Sequence, residues 1–273
     1  VSEQESLPGQ KITPARRPFG VGVVGGSTVV IDYAGARFVT DPTFDPPGVH
    51  GVMERIVAPA IPLEDLGSVD VVLLSHDEHS DNFDSSGRAL AMTTKAIVTG
   101  MGAARRLGAP AVGLTAGESV YFSTDDQSVP VEITAVEAVH GPLDGAQDAT
   151  GNVNAEVIGF VLRTPGQPTV YISGDNASMA PLAAITSRFP QIDVAILFTG
   201  AARLPSKNDG RPLTLTSQRA ADAAVFIGAP HVVPAHYQGW SMYSENADDI
   251  VRAFDEAGIK QRLHMKPAGT WTL

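Results

Sequence analysis

The run 72-VLLSHDEHSDNFD-84 passes from an apolar stretch straight into a loop that holds two histidines, three aspartates and a glutamate. Its spacing, H-x-x-H-x-D-N, belongs either to a set of metal ligands or to a polar turn. Taken alone the loop decides neither, because a histidine that follows a strand is more often a hydrogen-bonded surface residue than a ligand. The rest of the chain has to supply the context.

Outward from this loop the sequence divides into strand-like and helix-like stretches. Residues 1–18 are polar and Pro-bearing and predict an arm over the surface, ahead of a single domain spanning 19–273. The runs 21-VGVVGG-26, 27-STVVIDYAG-35 and 36-ARFVTDPTF-44 are rich in β-branched residues and punctuated by glycine, the mark of an antiparallel meander. A Pro/Gly-rich block at 46–62 interrupts it. Apolar strands then alternate with helical stretches: a strand at 69–75, a helix within 82–92, a strand at 95–100, a short helix at 101–107 and the strand AVGL. Further strands are expected at 119–123, 130–140, 156–164 and 168–175.

The last third repeats the alternation, with strand 193–200, helix 216–228, strand 231–239 and helix 244–258, and a strand pair at 262–267 and 269–273 closes the chain. The final helix places Ala247, Ile250, Val251, Phe254 and Ala257 on one face, and Gly258 stands where it should stop. Two such halves predict an α/β (α+β) protein with sheet packed on sheet and helices outside, a four-layer αβ/βα sandwich.

Composition narrows the chemistry. The chain has 273 residues, 43% hydrophobic and 18% charged, enough apolar side chain for a sizeable core. Its formal charge of −11 repels a phosphate backbone, so nucleic acid is not an expected partner. With no cysteine, thiolate metal sites and cysteine nucleophiles are excluded, and His, Asp and Glu are left as the strong metal ligands. No apolar stretch reaches the roughly 18 residues of a membrane span, and 1-VSEQESLPGQKITPARRPFG-20 lacks the apolar core of a signal peptide. The expected compartment is the cytoplasm, with no membrane partner.

Three of the seven histidines follow apolar strands: His76 after VDVVLLS, His140 after ITAVEAV and His236 after VVPA. Asp175 follows TVYISG in the same way. Side chains at strand ends along one sheet edge converge in space however far apart they lie in sequence. Coordinating residue types repeated in one context point to a shared ion.

In these landmarks the chain resembles the metallo-β-lactamase superfamily, whose pattern is a strand ending in H-x-H-x-D-H, a later His, an Asp in a "GD" turn and a last His near "P-x-H". The corresponding segments are 75-SHDEHSDN-82, 138-AVHGP-142, 173-SGDN-176 and 232-VVPAHYQ-238. The stretch 27-STVVIDYAGARFVTDPTFDPPG-48 also resembles the branch related to ascorbate-phosphate lactonases, and the likeness runs from about residue 19 to the end. The first motif departs from the pattern. Aligned on the strand end, His76 is the first ligand and one extra residue precedes His79, Asp81 and Asn82. Aligned on H-x-D, Asp77 takes that place. The strand end is the firmer anchor, since a loop absorbs an inserted residue, and Asp77 and Glu78 stay candidates for ligands or their supports.

The resemblance implies a first site of His76, His79 and His140, with Asp175 bridging or completing it, suited to Zn²⁺. It implies a second of Asp81, Asp175 and His236, perhaps joined by Asn82, whose oxygen-rich character also admits Mn²⁺ or Fe²⁺. Asn82 replaces an imidazole with a weaker amide donor, so one ion or two is open. Asp81 and Asp175 are the expected catalytic carboxylates. Such ligands serve hydrolysis because a bound dication lowers the pKa of water from ~15.7 to about 7 and polarises the attacked oxygen. The expected substrate is a small ester, lactone or phosphoester. The alternatives are a phosphodiesterase or phospholipase-like enzyme and a non-catalytic protein with a degenerate metal site.

Other features carry weaker expectations. The glycines of 19-FGVGVVGGSTVV-30 lack the strand-turn-helix setting of a phosphate loop, and no G-x-S-x-G elbow supports serine catalysis. His50 either lines a pocket or faces solvent; His231 and His264 are expected to be structural. Arg203, Lys207 and Arg211 form a local positive cluster after a strand end, either a solvated loop or a cradle for an anionic substrate group. Trp240 and Tyr243 form a pocket wall or core. A homo-oligomer is left open.

Overall fold

A computed structural model describes residues 9–123, 129–141 and 154–273. The first eight residues of the expected arm lie outside the described residues. The remainder of that arm runs beside the C-terminal end, where the Ile12 N–H donates to Gly269 O (3.0 Å) and the Trp271 N–H to Gln10 O (2.8 Å).

The first half begins with the meander β1 (Phe19–Gly25), β2 (Thr28–Tyr33) and β3 (Ala36–Thr40). A small hairpin follows, β4 (Gly48–His50) and β5 (Met53–Arg55). Then come β6 (Val71–Leu73), α1 (Ser85–Ala91), β7 (Ala96–Gly100), α2 (Met101–Leu107) and β8 (Ala111–Leu114). The second half is β9 (Ser119–Phe122), β10 (Val131–Glu137), β11 (Ile158–Arg163), β12 (Val170–Ile172), α3 (Leu182–Arg188), β13 (Val194–Phe198), α4 (Ser217–Ile227), β14 (His231–Ala235) and α5 (Ala247–Glu256).

The strands form two six-stranded sheets, ordered β1-β2-β3-β6-β7-β8 and β14-β13-β12-β11-β10-β9. Each joins an antiparallel meander to parallel strands: β3 runs parallel to β6 in register Phe38↔Val71, and β12 parallel to β13 in register Val170↔Val194. Period-two alternation explains the layering. Val29, Ile31 and Phe38 of the first sheet share one buried cluster with Ile133, Phe160, Ile196 and Val233 of the second. The alternate residues Ala195, Leu197 and Val232 face the other way, onto α4 and α5. Helix α2 ends against the opposite side of the first sheet, where Leu107 packs with Val72 and Ile97. The four-layer sandwich expected from the sequence is the fold observed.

Three local features differ from the reading of the sequence. The terminal strand pair does not form; Leu263 bridges Val232 of β14, while Thr270 and Trp271 bridge Lys11 and Gly22. The Pro/Gly-rich block contains the β4–β5 hairpin, and α3 lies in a stretch assigned no helix. No helix among the described residues is long and apolar enough to cross a membrane.

Candidate metal centre

The loop after β6 is shaped from beneath by Asp41, at the end of β3. Asp41 is buried, with φ of 34°, and its Oδ1 accepts the Ser75 N–H at 2.7 Å. Burial, and then the charge of Asp175, raise its carboxyl well above the ordinary range. The Ser27 hydroxyl lies between the carbonyls of Asp81 (2.6 Å) and Asp41 (3.1 Å) and ties the two segments together. The chain then turns tightly, with the Phe83 N–H donating to His79 O at 2.9 Å.

This turn carries His76 and His79 to one point. Their facing atoms, His76 Nε2 and His79 Nδ1, are 2.7 Å apart, and His140 Nε2 is 3.1 Å from the same His79 Nδ1. His140 comes from the end of β10 and Asp175 from the turn after β12, with Asp175 Oδ2 3.6 Å from His140 Nε2. Gly174 is required in that turn: its φ is +56°, and a Cβ there would lie 2.6 Å from Ile158 O. A second group shares Asp175. His236 Nε2 is 3.0 Å from Asp81 Oδ2 and 3.4 Å from Asp175 Oδ1. His236 has φ of 61°, an unfavourable conformation for a non-glycine residue, and its ring stacks on Phe198 at an interplanar angle of 2°.

Within each group, His76–His79–His140–Asp175 and Asp81–Asp175–His236, the candidate ligand atoms lie within 4.8 Å of one another. All six sequence-derived candidates are thus brought together. The extra residue between His76 and His79 is absorbed by turning Asp77 away: both its oxygens accept from Arg106 Nε of α2, at 3.0 and 3.1 Å.

The donor chemistry fits a cation. The Leu213 carbonyl can only accept, so His140 Nδ1, 2.9 Å away, carries the proton and Nε2 turns a lone pair inward. Burial, followed by the neighbouring histidines, pushes His76 well below its ordinary pKa, and burial takes His140 down to about 4. Three neutral imidazoles whose nitrogens converge this closely suit a bound dication. At His236 burial works against the charge, but Asp175 and Asp81 outweigh it and raise the ring to about 9. Asn82 donates from Nδ2 to Asp175 Oδ1 at 3.0 Å, and its own buried Oδ1 meets no hydrogen-bond donor among the described residues.

A family model described as beta-lactamase superfamily domain matches residues 36–237. The chain belongs to the beta-lactamase superfamily. Among its relatives, a UPF0173 metal-dependent hydrolase of Methanosphaerula palustris is 30% identical over 203 residues, which are 74% of this chain and 83% of the relative. Two solved structures share the superfamily fold seen here. The isothiocyanate hydrolase from Delia radicum gut bacteria superposes with a TM-score of 0.75 at 21% identity, covering 92% of this chain and 97% of that one. A possible metal-dependent hydrolase from Veillonella parvula gives 0.76 at 16% identity, covering 93% and 99%.

On this superfamily scaffold a cleft of about 300 Å³ opens over the two groups, lined by His79, Asp81, His140 and Asp175. Glu78 and Lys207 line it too, and Val52, Met53, Leu204 and Met242 supply an apolar wall. Of the positive cluster, Lys207 alone reaches this lining; Arg203 Nη1 donates to Gly210 O (3.0 Å) and Arg211 Nε to Asn208 O (3.3 Å). Trp240 is core, packed with Met53, Ala202 and Met242. His50 lies edge-on to Trp240, ring centroids 5.4 Å apart, outside the lining. His231 and His264 lie outside it as well and pair with each other, Nδ1 to Nε2 at 2.8 Å. Asp41 was missed as a positioning residue; its signal was its place ahead of Pro42, where the strand-like run 36-ARFVTDPTF-44 ends. The apolar wall was missed because its members lie far apart in sequence, on a hairpin and two loops.

Proposed function

We propose that the chain is a metal-dependent hydrolase of a small ester, lactone or phosphoester. The observation that carries this reading is the convergence of His76, His79 and His140 on one point, with the His140 proton held outward by Leu213. The nitrogen-rich first group favours Zn²⁺, and the oxygen-rich second group also accommodates Mn²⁺ or Fe²⁺. A dication held there supplies a Lewis acid that polarises the scissile carbonyl or phosphoryl group and acidifies water.

The chain's own residues complete the chemistry. Where the second group holds no ion, Asp81, which lines the cleft, accepts a hydrogen bond from the attacking water, orienting it and taking its proton. Asp175 joins the two groups and fixes their spacing. Asn82, through its bond to Asp175 Oδ1, sets that carboxylate's orientation. Lys207 makes no side-chain ion pair among the described residues and lines the cleft, which favours a substrate with an anionic group.

The test is elemental analysis of protein purified without added metal, then reconstituted, with activity measured on lactone, aryl ester and bis-aryl phosphodiester substrates. His140→Ala should lose first-site metal and reduce kcat/KM by more than about 100-fold, beyond the range typical of residues that only support a ligand. Full activity in that variant, or a wild-type chain that takes up no divalent metal, would falsify the reading.

A further inference from the structure

The cleft over the metal-ligand groups continues into a neighbouring groove of about 620 Å³, and Val52, Leu204 and Met242 line both. Pro205 extends this apolar surface beyond the cleft. Val52 occupies the tip of the β4–β5 hairpin and is 80% exposed. The hairpin beneath it is anchored, since Met53 and Arg55 are buried, so Val52 is held out on a fixed support. The groove's cation, Arg203, is turned to the protein: its Nε donates to Ser244 Oγ at 3.0 Å and its Nη1 to Gly210 O at 3.0 Å. Lys207 lines the cleft and not the groove. An anionic group is therefore recognised in the cleft and not in the groove, where Asp209 stands beside the apolar strip that Val52, Leu204, Met242 and Pro205 form.

We propose that the groove receives an uncharged hydrophobic extension of the substrate, so that the enzyme takes esters or lactones carrying an alkyl or aryl acyl tail. This rests on the hydrolase reading, which puts the scissile group at the metal-ligand residues. A tail leaving that point passes Val52, Leu204 and Met242 before reaching Pro205. Each methylene moved from water onto such a surface changes affinity about fourfold.

The test uses metal-loaded protein and two probes that bind metal through the same head, acetohydroxamate and octanohydroxamate, titrated calorimetrically. The octanoyl probe should bind at least about tenfold more tightly than the acetyl probe. Val52→Asp should bring that ratio close to one, with metal content and melting temperature as in the wild type, because the side chain is exposed. Equal affinities in fully loaded wild-type protein, or an undiminished ratio in Val52→Asp, overturn the proposal while the hydrolase reading stands. A dimer that Val52→Asp splits without altering the ratio would make the groove a self-association face, and overturns it too. No metal uptake and no acetohydroxamate binding would remove the hydrolase reading, and the tail site with it.

Discussion

Asn82 is the residue at which the second group departs most from the superfamily pattern. Its amide is buried, with Nδ2 on Asp175 and Oδ1 meeting no hydrogen-bond donor among the described residues. An amide oxygen competes poorly with imidazole for a transition metal. Asn82→His should therefore raise metal content at limiting buffered Zn²⁺ towards two ions per chain. Elemental analysis beside the wild type at the same free metal measures this, and an unchanged stoichiometry would show that position 82 does not govern the second group. The inserted residue has no comparable effect, because Arg106 holds Asp77 and leaves His76 and His79 converging. This much was legible in the sequence, since an apolar strand fixes the direction in which the adjoining side chain projects. It is His76, and not Asp77, that faces the other histidines.

At the scale of elements, α1 is the piece that follows the ligand loop directly, and its N-cap, Asp84, does several jobs. Its Oδ1 accepts the Gly87 N–H at 2.7 Å, and its Oδ2 accepts the Asp45 N–H at 2.7 Å and faces Arg55 Nη1 at 3.4 Å. Asparagine caps as well as aspartate, so Asp84→Asn keeps the cap and removes the charge, together with the Oδ2 acceptor, that serves buried Arg55 and the Asp45 N–H. Asp84→Ala removes both, and should cost about 1 kcal/mol more than Asp84→Asn. Urea midpoints of the two variants give the difference; equal midpoints would mean that the cap contributes nothing to stability. The sequence disclosed the long elements because β2 is a run of β-branched residues, buried on both faces, and α5 buries Ile250 and Phe254 one turn apart. It hid β4–β5, whose three-residue strands are too short to alternate, and α3, which buries only Leu182 and Ile185. The expected terminal strand pair was misplaced for a different reason. Its two segments have strand-like composition, but each finds a partner elsewhere, and local sequence carries no information about which edge is free.

At the scale of the molecule, the candidate ligands come from both sheets, so their spacing depends on how firmly the sheets are held together. Beyond the shared core, the C-terminal segment ties one sheet to the other: the His264 N–H donates to Val232 O of β14 (2.8 Å), and the Leu273 N–H to Val21 O of β1 (3.1 Å). The His231–His264 contact sits on this strap, with Nδ1 and Nε2 2.8 Å apart, a hydrogen bond in which one neutral ring must accept. Burial, then the charges of His231 and Lys266, lower His264 from its ordinary value of 6.5. The folded-state pKa is thus the lower one, and as pH falls through about 6.5 the unfolded chain takes up the proton first. The stability conferred by the neutral contact is fully present above that pH and is lost as pH falls below it. Replacing His264 by Gln removes this titration while keeping a side chain able to hydrogen-bond. The loss of melting temperature between pH 7.5 and pH 5.5 should therefore be smaller in His264→Gln than in the wild type. Parallel thermal melts of the two metal-loaded proteins measure it. Matching slopes would mean that the strap is held by its backbone bonds and apolar contacts alone.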